Sequence, residues 1–103
     1  MKEKMENRID YEERAELLKS LSNPVRLEIV HCLLHTGCHN VSCMMKEIGM
    51  SQSCVSQHLQ KLRVTGVVTA ERAGNEVFYR VTSAKVARLA AAIFEEEESG
   101  YVV

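Results

Sequence analysis

Apolar residues recur at helical spacing in the middle of the chain. Val55, Leu59 and Leu62 lie four and three residues apart, which places them on one face of a helix over residues 51–64. Gly66 follows this stretch and can adopt the left-handed conformation in which many helices end. The pattern predicts an amphipathic helix whose apolar face packs on a core.

The opposite face of this helix carries short amides and hydroxyls. Such groups reach base edges when a helix enters the major groove of DNA, and cations in the last turn can contact phosphates. An ordinary surface helix would show the same spacing, so the neighbouring elements decide between the two interpretations. The candidate DNA-contacting residues of the helix are Gln52, Ser53, Ser56, Gln57, Gln60, Lys61 and Arg63.

A shorter apolar stretch precedes this helix. Residues 42–48 form a second predicted helix, and Gly49 provides the tight turn between the two. The arrangement indicates a helix-turn-helix over about residues 42–64, in which the second helix is presented to the major groove.

Two runs rich in β-branched and aromatic residues follow the helix. Residues 67–72 and 76–81 surround a glycine-asparagine pair, which predicts a β-hairpin over about residues 67–81. A helix-turn-helix followed by a hairpin is a winged helix, a fold that is mainly α with a small β-hairpin. The candidate DNA-contacting residues of the wing are Arg72, Asn75 and Arg80.

Three further helices are predicted around this unit. The first covers residues 10–21, the second residues 24–35, after the cap signal of Asn23 and a proline, and the last residues 83–97. Small apolar residues on the last helix favour close packing between subunits. The apolar positions at helical spacing are Ala15, Leu17, Leu18 and Leu21, then Leu27, Val30, Leu33 and Leu34, then Val86, Leu89, Ala90 and Ile93.

Length and composition bound the class of protein. With 103 residues, 46% hydrophobic and 26% charged, the chain is expected to be a single globular domain over residues 1–103. No apolar run is long enough to cross a bilayer, and the first residues do not resemble a signal peptide, so we expect a cytoplasmic protein without a membrane partner. Its four cysteines are then expected to be reduced thiols.

The charge balance is unusual for a DNA-binding protein. The net charge is −1, whereas a basic surface is expected where DNA binds. Four glutamates occupy positions 95–98, and removing their charges from the net charge of −1 leaves +3 for the rest of the chain. A dimer would double the modest basic surface, so the charge does not exclude an operator as partner.

Cysteine and histidine are concentrated between positions 31 and 43. The two histidines His31 and His35 share one helix face, and Cys38 and Cys43 bracket the following loop. These side chains could bind zinc, cadmium, copper(I) or arsenite, or the thiols could react with oxidants or reactive sulfur without any cofactor. Alternatively, Cys32 is a core residue and the histidines face solvent. The candidate sensing residues are His31, Cys32, His35, Cys38, His39 and Cys43.

The motifs resemble those of the ArsR/SmtB family of metal- and thiol-responsive repressors. The resemblance lies in SQSCVSQHLQKLRVTGVV at residues 51–68, in RAGNEVFYRV at residues 72–81 and in LKSLSNPVRLEIVHCLL at residues 18–34. It covers about residues 17–89 and implies a homodimer formed by the first and last helices. It also implies a pseudo-palindromic operator and release from DNA by a chemical signal.

The sensing sites of the family are absent in their usual form. The cysteine motif of arsenic- and cadmium-responsive members is replaced by Asn40, Val41 and Ser42, and residues 83–99 contain no histidine for a zinc site. Sulfide-responsive members pair a cysteine of the second helix with one of the last, but here His31 occupies the first of those positions. The resemblance therefore leaves the inducer open.

The prediction from the sequence is a homodimeric repressor that binds DNA. Oxidation or ligand binding at the cysteine-histidine segment would tighten the junction of the second and third helices, rotate the recognition helix and weaken DNA binding. The alternative is a winged helix that binds proteins and not DNA. We do not expect an enzyme, because no third catalytic group, oxyanion loop or cofactor motif accompanies the cysteine and histidine residues.

Overall fold

The computed structural model describes residues 9–37 and 39–95. Within these ranges five helices surround one core, and a two-stranded antiparallel hairpin lies between the last two helices. The predicted winged helix-turn-helix, mainly α with a small hairpin, is confirmed. The elements are α1 (Tyr11–Leu21), α2 (Pro24–His35), α3 (Val41–Ile48), α4 (Gln52–Val64), β1 (Val68–Ala73), β2 (Glu76–Val81) and α5 (Ala84–Phe94).

Side-chain caps determine where the helices begin. The Oδ1 atom of Asn23 accepts hydrogen bonds from the amides of Val25 and Arg26 at 2.8 and 3.1 Å, so α2 starts at Pro24 as predicted. Asn40 caps α3 in the same way, which moves its start to Val41, one residue before the predicted start. Each cap satisfies amides that have no partner within the helix.

Glycines in the left-handed conformation end the two helices of the helix-turn-helix. Gly49 has φ +78° and ends α3, and its amide donates to the carbonyl of Met45 at 2.8 Å. After α4, Gly66 has φ +80°, and the amide of Val67 donates back to the carbonyl of Leu62 at 2.9 Å. This Schellman motif turns the chain directly into the hairpin.

The hairpin has a two-residue turn. Ala73 pairs with Glu76 at the turn, and Val68 pairs with Val81 at the other end. Gly74 has φ +65°, as expected of the first residue of such a turn. The second strand is as predicted, whereas the first begins and ends one residue later than the sequence indicated.

The core joins all five helices to the base of the hairpin. Met44, Val55, Leu62, Val67 and Val86 are fully buried. The burial of several residues differs from the burial predicted from helical spacing. Spacing identifies the apolar face of a helix, but the neighbouring elements decide which residues of that face are covered. The fully buried Ile29 was not predicted, Leu27 and Leu34 are half-buried, and Leu18 and Ile93 are 55% and 51% exposed.

The end of the last helix also differs from its prediction. Helix α5 ends at Phe94, and Glu95 follows it in an extended conformation. The remaining predicted helical positions, 96 and 97, lie outside the described residues.

Replacing Leu62 with alanine should destabilise the fold strongly. Its side chain is 0% exposed, so the substitution removes apolar contacts and leaves a cavity, which costs about 2–5 kcal/mol. Val64→Ala is the control on the same helix, because Val64 is 74% exposed and should change stability by less than about 0.5 kcal/mol. Urea unfolding followed by circular dichroism measures both; equal losses would contradict the assigned core.

Candidate functional site

Helix α4 presents a continuous polar surface. Its apolar residues Val55, Leu59 and Leu62 are at most 1% exposed, which confirms the predicted core face. The Oγ atom of Ser51 caps the helix by accepting a hydrogen bond from the amide of Cys54 at 3.2 Å. The predicted contact residues of this helix are all exposed, namely Gln52, Ser53, Ser56, Gln57, Gln60, Lys61 and Arg63.

An arginine from α2 holds the recognition helix in place. The Nη1 atom of Arg26 lies 3.2 Å from Nδ1 of His58, and its Nε donates to the carbonyl of Ser20 at 2.5 Å. Burial lowers the pKa of His58 below 6.5, and the charges of Arg26 and Lys61 lower it further. The neutral imidazole can accept from the guanidinium at Nδ1, so the pair links α1, α2 and α4. Sequence spacing did not reveal this role of Arg26, because the two side chains are 32 positions apart.

The wing carries its two arginines on opposite faces. Arg80 pairs across the strands with Thr69, and Arg72 pairs with Val77, so their side chains alternate between the two sides of the hairpin. Both arginines are exposed, as is Asn75 in the turn. The hairpin can therefore bring positive charge to a duplex from two directions.

The histidines of the cysteine-histidine segment form a ring cluster. The ring centroids of His31 and His35 are 4.8 Å apart, as their spacing on one helix face predicted. His31 also contacts the ring of Phe94 in α5, with centroids 4.4 Å apart. His31 therefore packs one element of the fold on another, while His39 lies exposed in the loop before α3.

Cys32 lies in the core. Its side chain is 4% exposed, and burial raises the pKa of its thiol. The charge of Glu47 and more weakly that of Glu28 also raise the pKa of Cys32, whereas a hydrogen bond with Thr36 lowers it. Since the thiolate is the reactive form, Cys32 is a poor nucleophile and a poor metal ligand here.

Cys43 differs from the other described cysteines. It is disulfide-bonded, whereas Cys32 and Cys54 are free thiols. The expectation that all four cysteines are reduced is therefore wrong for Cys43. The remaining sensing candidate, Cys38, lies outside the described residues.

The loop that precedes α3 is attached to the wing. The amide of Tyr79 in β2 donates to the carbonyl of His39 at 2.8 Å. Nδ2 of Asn40 donates to a carboxylate oxygen of Glu76 at 3.4 Å, while its Oδ1 accepts from the amide of Cys43 at 2.8 Å. The sequence analysis missed the cap of Asn40, which its position before an apolar helix could have revealed; the contact with Glu76 spans 36 positions and has no local signal.

The described residues assemble no obvious metal centre. Among residues 9–37 and 39–95, no group of three or more histidine, cysteine, aspartate or glutamate side chains is placed to hold a metal ion. The two neighbouring histidines, His31 and His35, provide two imidazoles without a third such ligand from this part of the chain.

Comparisons with known proteins agree with this architecture. Residues 23–70 match the family described as "Bacterial regulatory protein, arsR family". The chain is 43% identical over 93 residues to the biofilm growth-associated repressor of Xylella fastidiosa, covering 90% of this chain and 79% of that protein.

Solved structures show the same fold. The structure of reduced HlyU from Vibrio cholerae superposes with a TM-score of 0.75 at 28% identity, covering 93% of this chain and 100% of that one. The homodimeric winged helix-turn-helix DNA-binding domain of Mb0332 from Mycobacterium bovis superposes with a TM-score of 0.71 at 35% identity, covering 81% and 76%.

The fold and its exposed recognition helix define a winged-helix transcription regulator. The chain belongs to the ArsR family, and it is a transcriptional repressor of the ArsR/SmtB type. Because the members of this family are transcriptional repressors, the prediction that the chain is not an enzyme is confirmed. No helix within residues 9–37 and 39–95 has the length and apolar character to span a bilayer.

Stability should fall in acid partly because of His58. The fold favours the neutral imidazole, whereas the unfolded chain binds a proton with a pKa near 6.5, so the free energy of unfolding falls as the pH falls below 6.5. His58→Gln removes this proton binding and should flatten the decline between about pH 7.5 and about pH 5.5. Urea unfolding at each pH gives the free energy of unfolding of the wild type and of His58→Gln. If this free energy fell equally with pH in both proteins, His58 would not be the source of the decline.

Proposed function

We propose that the protein is a thiol-redox-responsive repressor that binds a pseudo-palindromic operator as a homodimer. The observation that carries the proposal is the disulfide at Cys43, one helix before the exposed recognition helix α4. Oxidation at this position would release the operator. Since its ligand is DNA, the protein would act in the cytoplasm.

The polar face of α4 would read the operator. Gln57 and Gln60 are exposed three residues apart, so their amides can approach neighbouring base edges in the major groove. Lys61 and Arg63 stand in the last turn, where they would contact phosphates. On the wing, Arg72, Asn75 and Arg80 would contact the backbone beside the groove.

A second copy would cover the apolar side chains that α1 and α5 leave exposed. Leu18 of α1 and Ile93 of α5 are 55% and 51% exposed, and Tyr11 at the start of α1 is 67% exposed. Large exposed apolar side chains on these two helices indicate a surface for association. The homodimeric Mb0332 domain supports the same assembly for this chain. Two recognition helices would then meet successive major-groove faces of the operator.

Cys38 is the cysteine that would pair with Cys43. The sequence predicted Cys38 and Cys43 as thiols that could be oxidised, whereas Cys32 and Cys54 are free thiols in the structure. Disulfide formation takes two electrons and two protons from the two thiols. With a peroxide as oxidant, the thiolate of one cysteine breaks the O–O bond to give a sulfenic acid, and the other thiol displaces water. The balance for hydrogen peroxide is two thiols plus one peroxide to one disulfide plus two waters.

A redox signal fits the described residues better than a metal. No group of three or more histidine, cysteine, aspartate or glutamate side chains within residues 9–37 and 39–95 is placed to hold a metal ion. Cys32 is buried with a raised pKa, and His31 packs on Phe94. The structure of HlyU from Vibrio cholerae is that of the reduced protein, which supports a redox-dependent state for this fold.

Substitutions in the two DNA-contacting elements should have different effects. Gln57→Ala should lose about 1–3 kcal/mol of operator binding and relax the base preference at one position, because a base contact is removed. Arg80→Ala should weaken binding to all duplexes. It should also reduce the slope of log affinity against log salt concentration by about one, because one phosphate contact is lost. Fluorescence anisotropy with a duplex from the gene's own upstream region measures both, and sedimentation should give two chains per duplex.

Glu28→Gln is the control for these variants, because it changes a charge on the exposed surface of α2 outside the two contacting elements. Its affinity should equal that of the wild type. Absence of salt-dependent binding to any duplex would instead favour the alternative, a winged helix that binds proteins.

Replacing Cys38 and Cys43 together with serine should abolish the redox response. The wild type should lose operator affinity about 5- to 150-fold on treatment with hydrogen peroxide, the usual range for coupling between two sites. The double variant should keep the affinity of the reduced wild type in both conditions. Cys54→Ala is the control and should respond as the wild type does. A full response of the double variant would place the sensor elsewhere.

A further inference from the structure

One side chain lies between the disulfide-bonded cysteine and the wing. Asn40 accepts a hydrogen bond from the amide of Cys43 through Oδ1 and donates one to Glu76 through Nδ2. The first bond fixes the start of α3, and the second reaches the strand that leaves the turn of the hairpin. A change in the backbone at Cys43 therefore reaches the wing through a single amide group.

A backbone hydrogen bond reinforces this connection. The amide of Tyr79 points away from β1 and donates to the carbonyl of His39 at 2.8 Å. In an antiparallel pair alternate amides face away from the partner strand, so β2 offers this amide to the loop. His39 and Asn40 thus hold two points of the same strand, Tyr79 and Glu76.

The attached strand carries a predicted phosphate contact. Arg80 lines a cleft of about 210 Å³ between the loop and the hairpin, together with His39, Glu71, Phe78 and Tyr79. In this disulfide-bonded form the arginine therefore lies on the side of the wing that faces the loop. Arg80 pairs with Thr69 next to the base of the hairpin, so a movement of β2 displaces it less than Arg72 and Asn75 near the turn.

Only the distal part of the hairpin is available for such a movement. Val67 and Val68 at its base are 0% and 2% exposed, and the amide of Thr82 donates to the carbonyl of Val67 at 3.3 Å. Glu76, at the turn, is exposed. A signal from the loop would therefore swing the tip about a fixed base.

We propose that Asn40 is the positioning residue that couples oxidation of Cys43 to the wing. This inference rests on the proposed function. The disulfide restrains the start of α3 at Cys43, and His39 and Asn40 hold β2. Arg72 and Asn75, near the turn of the hairpin, are thereby kept away from phosphate. Reduction relaxes the loop and lets the tip of the wing reach the duplex. The recognition helix keeps its place on the core in both states.

Two single variants and their combination test the connection between Asn40 and Glu76. Asn40→Asp keeps the oxygen that caps α3 but loses the donor and repels Glu76, and Glu76→Ala removes the acceptor. Each should reduce the ratio of reduced to oxidised operator affinity by about two- to tenfold, the range expected of one hydrogen bond. In the Glu76→Ala background, Asn40→Asp should cause no further loss, because the pair acts as a unit.

Glu28→Ala is the matched control, since it removes an exposed glutamate of α2 that lies outside the wing and outside the cleft. It should retain the wild-type ratio. Mass spectrometry should show the loss of two hydrogen atoms on peroxide treatment in every variant, which separates coupling from disulfide formation.

The outcomes distinguish the two proposals. A wild type whose operator affinity does not change with oxidation, or a Cys43→Ser variant that still responds, overturns the proposed function. A wild type that responds and a Cys43→Ser variant that does not, combined with full responses in Asn40→Asp and Glu76→Ala, overturn the role of Asn40. Additive losses in the double variant would likewise show that the two residues act separately.

Discussion

Burial of one face of α4 is the constraint on which the rest of the structure depends. Val55, Leu59 and Leu62 are at most 1% exposed, and burying each such side chain contributes about 1.5–3 kcal/mol. Because these residues fix the rotation of the helix about its axis, they also fix which residues face away from the core. The polar surface offered to DNA is thus a consequence of core packing, and Arg26 adds a second restraint through His58.

Local chemistry made most of the fold predictable from the sequence. Caps such as Asn23 and left-handed glycines such as Gly49 act within a few residues, so the helix boundaries and the hairpin could be read from short stretches. Burial was less predictable, because helical spacing does not say which elements cover a stripe. The exposure of Leu18 and the burial of Ile29 depend on packing between distant segments.

In the candidate site too, features that depend on nearby residues were predicted from the sequence, whereas contacts between distant residues were not. The exposed face of α4 followed from periodicity, and the adjacency of His31 and His35 followed from their spacing. The contact of His31 with Phe94 and the bond from Asn40 to Glu76 join positions far apart in the chain, so only the folded structure reveals them. The net charge of −1 was similarly uninformative, because it does not say where the charges lie: α4 exposes Lys61 and Arg63 and contains no carboxylate.

The tight connection between α4 and the hairpin has a consequence for the DNA itself. The hydrogen bond from Val67 to Leu62 and the burial of Val67 and Val68 fix the position of the hairpin base relative to α4. The distance from the bases that α4 would read to the phosphate that Arg80 would contact, beside the base of the hairpin, is therefore set by the protein. An operator half-site can vary in sequence at uncontacted positions, but an inserted base pair between these two points would separate them by about 3.4 Å and sacrifice one of the two contacts.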